Sequence, residues 1–256
     1  MKYDYAEIVD DSDRENELFI QKKIKPTQPI LKKYHNENDK IIEIGVDEVG
    51  RGPLFGRVYT AAVILPKDDT FDCLKVKDSK KFHSKKKIQE AAEYIKKNAL
   101  AWHVSFEDEK VIDEINILQA TQRSMHTSIR EAQKKMNKSL NDFTKEDYSY
   151  NLLIDGNYFN PIMQLNKNTQ KLENIPYITV TKGDNTYASI AAASILAKVE
   201  RDNYINDLCI QNPTLSEYYG IDSNKGYGAK VHLDGIKTHG ITIWHRKTFG
   251  ICKKYV

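Results

Sequence analysis

The sequence predicts an α/β protein: a central mixed sheet flanked by helices, followed by a helical C-terminal part. Three observations predict it. Ile41–Val46 and Val58–Leu65 are β-rich apolar runs on either side of a glycine-rich turn, GRGPLFG, which is a hairpin pattern. Beyond a third strand-like run, strand and helix patterns alternate, as they do in mixed sheets. From about residue 186 the pattern is helical, Ala-rich at first and polar later.

Residues 1 to 38 are polar and highly charged, with Pro26 and Pro29 in their second half, and read as an extension. After the hairpin and a lysine-rich loop, a helix is expected over about 84–98, with Ser84 as its N-cap. Ala99–Phe106 is the third strand, and residues 108–138 read as one or two amphipathic helices. The polar stretch 137–150 is a loop. Asn151–Asp155 and Tyr177–Thr181 are short apolar strands, 186–211 is a long helix, and a last helix is expected near 229–238.

The chain has 256 residues, 40% of them hydrophobic, enough for one large domain. Its net charge is only +3, but the basic residues are uneven in kind: seven are Arg and the remaining 32 of 39 are Lys. Lys suits diffuse attraction to phosphate and Arg suits fixed bidentate contacts, so the few Arg in patterned positions stand out. Cys73, Cys209 and Cys252 are far apart, which argues against a disulfide framework or zinc site and fits a reducing intracellular compartment. The acidic N-terminus lacks the apolar core of a signal peptide, and the most apolar run, Ile190–Val199, is too short to span a bilayer.

Carboxylates recur where strands run out: Asp47 and Glu48 after IIEIGV, Asp155 after LLI, and Asp184 after ITVTKG. Strand ends of α/β sheets face the crevice where ligands bind. Acids converging there repel one another unless a cation neutralises them, and hard oxygen ligands suit Mg²⁺ or Mn²⁺. Each acid alone is equally a surface residue, and Asp184 could cap the helix after it. Lys77, Lys80, Lys81, Lys85, Lys86, Lys87 and Lys182 read as phosphate contacts or as a solubilising surface. The stripe Ile190, Ala193, Ile195 and Ala197 reads as core, as do Trp102 and Trp244, and no histidine shows metal-ligand spacing.

IGVDEVGRGPLFGRVYTAAVILP (44–66) closely resembles the signature of the ribonuclease HII family. Further blocks agree in order and spacing: KDSKKFHSKKK (77–87), INILQATQRSM (115–125), LLIDGN (152–157), KGDNTYASIAAASILAKVERD (182–202), NKGYGAK (224–230) and HLDGIKTHGITIWHRKTFG (232–250). The likeness covers roughly residues 41–250, and the Gly-Arg-Gly turn favours type HII over type HIII. The resemblance implies a ribonuclease H-like fold with a five-stranded sheet, in which 39–212 is the catalytic domain and 213–256 closes over the substrate. It implies that Asp47, Glu48, Asp155 and Asp184 hold two Mg²⁺ or Mn²⁺ ions, and that Gly50, Arg51, Gly52 and Tyr227 sense the ribonucleotide. Lys80, Lys81 and Lys182 are further substrate-binding candidates, with Ser79 and Asn157 weaker ones.

The implied activity is endonucleolytic hydrolysis, 5′ of a ribonucleotide, leaving 3′-OH and 5′-phosphate ends. The implied substrates are RNA–DNA hybrids and DNA duplexes with embedded ribonucleotides; the expected partner is nucleic acid, with no membrane, and the expected state is a monomer. A DNA-directed nuclease of the same superfold, or a subunit needing partner chains, are the alternatives. The family usually has Pro where this chain has Arg57, and the N-terminal extension and the 137–150 insertion are absent from its shortest members.

Overall fold

A computed structural model of the chain describes residues 31–76, 84–141, 148–166 and 169–256. Ser79, Lys77, Lys80, Lys81, His83 and the first thirty residues of the extension lie outside the described residues, as does 142–147 of the insertion. The five-stranded sheet has the order β3–β2–β1–β4–β7. It is built from β1 (Ile41–Val49), β2 (Val58–Ile64), β3 (Ala101–Glu107), β4 (Ser149–Asp155) and β7 (Tyr177–Val180). β1, β2 and β3 form an antiparallel meander, while β4 and β7 run parallel to β1, so the sheet is mixed as expected.

Alternation along the strands divides the core in two. Ile42, Ile44, Val46, Ala62, Ile64, Leu152 and Ile154 face Met125, Ile129, Ala132 and Met136 of α2 (Glu109–Asn141). Tyr59, Ala61 and Val63 face Ala91, Ala92 and Ile95 of α1 (Lys85–Asn98) and the alanines of α3 (Ala188–Gln211). With both faces covered, all seven residues of β2 are buried. α3 is buried without interruption from Ala188 to Ala197, which includes the stripe read as core. It runs so close to β1 that a Cβ on Gly45 would stand 2.2 Å from the Ser189 carbonyl carbon, so only glycine fits there.

Several details differ from the sequence reading. β1 continues to Val49, because Asp47, Glu48 and Val49 stay in register with Ala61, Thr60 and Tyr59; the first two acids lie within the strand rather than after it. α2 is two helices that meet at a kink at Asn116 (φ 67°, ψ 163°), whose Oδ1 accepts the Leu118 and Gln119 N–H groups as an N-cap. Ser84 stands at the N-cap of α1, but its side chain makes no capping bond. A hairpin of β5 (Met163–Asn166) and β6 (Lys171–Asn174) has no counterpart in the sequence reading. Trp102 and Trp244 are half-buried at the margins of the cores.

The C-terminal part is helical: α4 (Thr214–Tyr219), α5 (Ile221–Asn224) and α6 (Lys230–His239). Together with the end of α3 they enclose Phe55, Ile205, Cys209, Leu215, Tyr219, Ile221, Ile236 and Cys252. Phe55 comes from the β1–β2 turn, so this third core fastens that turn to the C-terminal helices. Residues 31–38, part of the extension in the sequence reading, are bonded to the same unit. The Lys32 N–H donates to Thr186 O, Ala188 N–H donates to Lys32 O, and the Glu43 carboxylate accepts the His35 and Asn36 N–H groups. Among the described residues, all three cysteines are free and no helix is long and apolar enough to cross a membrane.

Candidate active site

β1 and β4 are parallel neighbours whose last paired residues are Val46 and Ile154. The next residue on each strand is Asp47 and Asp155, so the sheet itself sets these two acids side by side. Glu48 joins them, and one oxygen from each of the three lies within 4.8 Å of the others. Asp184 sits beyond β7 in a 3-10 turn (Gly183–Asn185), buried, accepting a bond from Asn185 Nδ2 at 3.1 Å. It is not a member of the three-carboxylate group, and it is not the cap of α3, whose N-cap is Tyr187. The same turn is tied to the group through Gly183 N–H, which donates to Asp155 Oδ1 at 2.6 Å.

This cluster is electrostatically expensive. Burial, then the charges of Glu48 and Asp155, push the Asp47 carboxyl well above the usual carboxylate range; the Ser194 hydroxyl and the Glu48 N–H oppose the shift. Burial also raises Glu48, against the pull of Arg51, whose Nη1 lies 3.2 Å from Glu48 Oε1. Three crowded carboxylates, all-oxygen and short of positive charge, are the donor set of a hard divalent cation.

The Gly-Arg-Gly turn leaves β1 two residues after Glu48. Gly50 has φ 96°, a conformation disfavoured for residues with a Cβ, and a Cβ there would stand 2.4 Å from Arg201 Nε. Arg246, fully buried, donates to the carbonyls of Gly50 (2.6 Å), Arg51 (3.0 Å), Pro53 (2.8 Å) and Gly56 (2.8 Å). Arg201, equally buried, reaches Lys225 O at 2.9 Å and Phe55 O at 3.5 Å. A trans peptide points its C=O and N–H in opposite directions. Drawing the Gly50 and Arg51 carbonyls inward therefore turns the Arg51 and Gly52 N–H groups outward, where neither has an acceptor among the described residues.

Tyr227 closes this face. It is 49% exposed, and its Cε1 would lie 3.5 Å from a Cβ placed on Gly52. Leu54 N–H donates to Gly226 O at 2.8 Å, stitching the two glycine-rich segments together. Lys182, Asn157 and Lys85–Lys87 are exposed on the surface. Arg57 does not extend into solvent: its guanidinium carbon lies 4.0 Å from the Phe106 ring centroid and 4.4 Å from that of Tyr204. The sequence reading assigned no site role to Arg201, Arg246 or Ser194. The scarcity of Arg was the available signal for the first two, since both fall inside quoted motifs.

The profile of the ribonuclease HII family matches residues 44–252. Ribonuclease HII of Parabacteroides distasonis is 44% identical over 208 residues, covering 81% of this chain and 89% of the relative. That of Bacteroides thetaiotaomicron is 43% identical over 214 residues, covering 84% and 92%. Among solved structures, ribonuclease H2 from Pyrococcus horikoshii aligns with a TM-score of 0.57 at 22% identity, covering 84% of this chain and 96% of that one. Bst-RNase HIII in complex with Mn²⁺ aligns at 0.55 and 21%, covering 84% and 69%; at such identities both establish the fold. A strand-borne Asp-Glu pair beside Asp155, a Gly-Arg-Gly turn behind it and a profile spanning 44–252 lead to one conclusion: this chain belongs to the ribonuclease HII family.

Proposed function

We propose that this ribonuclease H type endonuclease, which acts on the RNA strand of RNA–DNA hybrids, also nicks duplex DNA on the 5′ side of a single embedded ribonucleotide. The observation that carries the reading is the convergence of Asp47, Glu48 and Asp155 within 4.8 Å, two residues from a turn with outward-facing N–H groups. Asp47, Glu48 and Asp155 would hold divalent ions, with Asp184 as a fourth ligand from the adjacent turn. Such ions, Mg²⁺ or Mn²⁺ and two in the reacting complex, supply charge stabilisation of the phosphoryl group and an activated water.

The chain's own residues do the rest. Ser194 and the Glu48 N–H orient the Asp47 carboxylate, Gly183 N–H orients Asp155, and Arg51 restrains Glu48. The Arg51 and Gly52 N–H groups face outward as donors for a 2′-OH in the shallow minor groove, the feature that separates RNA from DNA. The Tyr227 ring lies beside them for the neighbouring sugar. Lys182 and the lysines at 80, 81 and 85–87 supply phosphate attraction. The reading includes action as a single copy, which gel filtration coupled to an activity assay checks.

The decisive test is a labelled DNA duplex with one ribonucleotide, incubated with Mg²⁺, with Mn²⁺ and with chelator. A 5′ nick with either metal and none in chelator is expected. Equal cutting of an all-DNA duplex would refute the reading.

A further inference from the structure

Behind Tyr227 lies a buried pair of histidines that the reaction does not use. His232 and His245 are 0% and 1% exposed, and their Nε2 atoms are 3.0 Å apart. Phe55 and Tyr219 pack edge-on against His245, with centroids 5.1 and 5.2 Å away, and close the same cage around His232. We propose that His245 and His232 are positioning residues: a one-way relay of hydrogen bonds from Thr242 through both rings holds the backbone carbonyl of Tyr227, and with it the ring above Gly52.

The direction of the relay follows from its two ends. Thr242 N–H lies 2.9 Å from His245 Nδ1, and a backbone amide can only donate. That nitrogen therefore carries a lone pair, and the proton of neutral His245 is on Nε2. At the other end, His232 Nδ1 is 2.8 Å from Tyr227 O, and a carbonyl can only accept. His232 is therefore protonated on Nδ1 and accepts at Nε2. The two assignments, made independently, meet at the Nε2–Nε2 contact with one donor and one acceptor. Only this combination of neutral tautomers satisfies every group in the chain.

The place where the relay ends gives it meaning. Tyr227 stands between Gly226, at φ 83°, and Gly228, so the local chain has little preference of its own. Its other backbone bonds are short-range, from its N–H to Asn224 O and from Ala229 N–H to its carbonyl. The relay is the tie that reaches from the turn to the far C-terminal segment. His245 also adjoins Arg246, which grips the Gly50–Gly56 carbonyls, so consecutive residues hold the two halves of the proposed sugar sensor. The inference rests on the reading that Tyr227 and Gly50–Arg51–Gly52 sense the ribonucleotide.

The test measures kcat/KM of the full chain on a duplex with one ribonucleotide and on a uniform RNA–DNA hybrid. His232→Phe removes the donor to Tyr227 and should lower the ratio between the two substrates about tenfold, the equivalent of one hydrogen bond. His232→Asn keeps an N–H at the place of Nδ1 and should retain most of the ratio. In a Tyr227→Ala background, His232→Phe should leave the ratio unchanged. A folded His232→Phe with the wild-type ratio, or one that lowers it equally in both backgrounds, would overturn the proposal. If Tyr227→Ala alone leaves the ratio intact, the sensing reading fails instead. The relay is then judged on the wild-type protein by ¹⁵N histidine spectra, which also serve if His232→Phe does not fold. His245 should appear as the Nε2–H tautomer and His232 as Nδ1–H at neutral pH; either in the opposite form overturns it.

Discussion

Replacing Asp47 by Asn should make the metal-free protein more stable while abolishing its activity. Oxygens of Asp47, Glu48 and Asp155 lie within 4.8 Å of one another. At that separation and an effective dielectric of about 20, each like-charge pair costs about 3.5 kcal/mol. Asp47 takes part in two such pairs. Part of the cost is already relieved in the wild type, because its raised pKa lets the carboxyl hold a proton, and part is offset by the bonds from Ser194 and Glu48 N–H. An amide keeps the shape and an acceptor oxygen and offers N–H donors to the neighbouring carboxylates. A net gain of about 1–3 kcal/mol is expected in chelator, or a rise in Tm of roughly 3–10 °C for a chain of this size.

The sign with pH is also determined. An acid whose folded pKa lies above its unfolded value contributes stability below that range and loses it as pH rises through the folded pKa. The advantage of Asp47→Asn should therefore grow as pH rises from the ordinary carboxylate range, about 4, through the raised folded pKa. The assay is thermal unfolding of both proteins in chelator and in excess Mn²⁺, beside the cutting rate. Metal should stabilise the wild type more than the variant, and the variant's rate should fall on the order of a thousandfold. A lower Tm for Asp47→Asn in chelator, or equal stabilisation by Mn²⁺, would refute the reasoning that this acid is held against repulsion for a cation.

Three further outcomes follow from the packing. His245 is pushed down to about pKa 3 by burial and by His232, and burial lowers His232 as well; with both held neutral, stability should fall as pH drops below about 6.5, by up to about 1.4 kcal/mol per pH unit for each ring, measured as denaturant midpoints at pH 7 and pH 5. Gly45→Ala would force a Cβ to within 2.2 Å of the Ser189 backbone, and a loss of about 3 kcal/mol or more is expected in urea melts; alanine at Gly240, where the space is open but φ 76°, ψ −161° is nearly confined to glycine, should lose about 1–3 kcal/mol through backbone strain alone. A chain beginning at Leu31 should keep its cutting rate, whereas one beginning at Asn38 loses the Lys32 bonds to Thr186 and Ala188 and should show both a lower Tm and a lower rate.

What could be read from the sequence is what is local. The acids announce themselves because each follows an apolar run, and the hairpin does because two such runs flank glycines. That Asp47 and Asp155 become neighbours depends on β1 and β4 pairing in parallel across a hundred residues of intervening chain, which no short pattern encodes. Asn116 carries a cap signature, yet it lies inside a continuous amphipathic pattern that hides the break. The β5–β6 hairpin is exposed and only four residues long on each side, and although MQLN alternates apolar and polar residues, KLEN does not, so the pattern is too short to mark a strand. Arg246 and Arg201 were conspicuous only as rare residues. Their partners are carbonyls more than twenty, and mostly more than a hundred, positions away.

Those two arginines explain how recognition and chemistry share one frame. Glu48 and Gly50 are two residues apart, so their α-carbons are separated by no more than about 7 Å. Two of the carboxylates that would hold the ions, Asp47 and Glu48, stand at the end of β1, and the peptides that would read the sugar lie in the turn that follows, with Arg51 bonded back to Glu48. Arg246 and Arg201 hold that turn from behind through its carbonyls, and neither is ion-paired to a carboxylate among the described residues. A guanidinium neutralised by a carboxylate would make a local structural pair. One spent on carbonyls instead orients peptide groups, leaving the N–H face free and Asp47 and Asp155 without an ion pair among the described residues. On the proposed reading, the position of the cut relative to the ribose would be set by the covalent geometry of the β1–β2 turn, with the C-terminal helices packed against that turn through Phe55 and the Leu54–Gly226 bond.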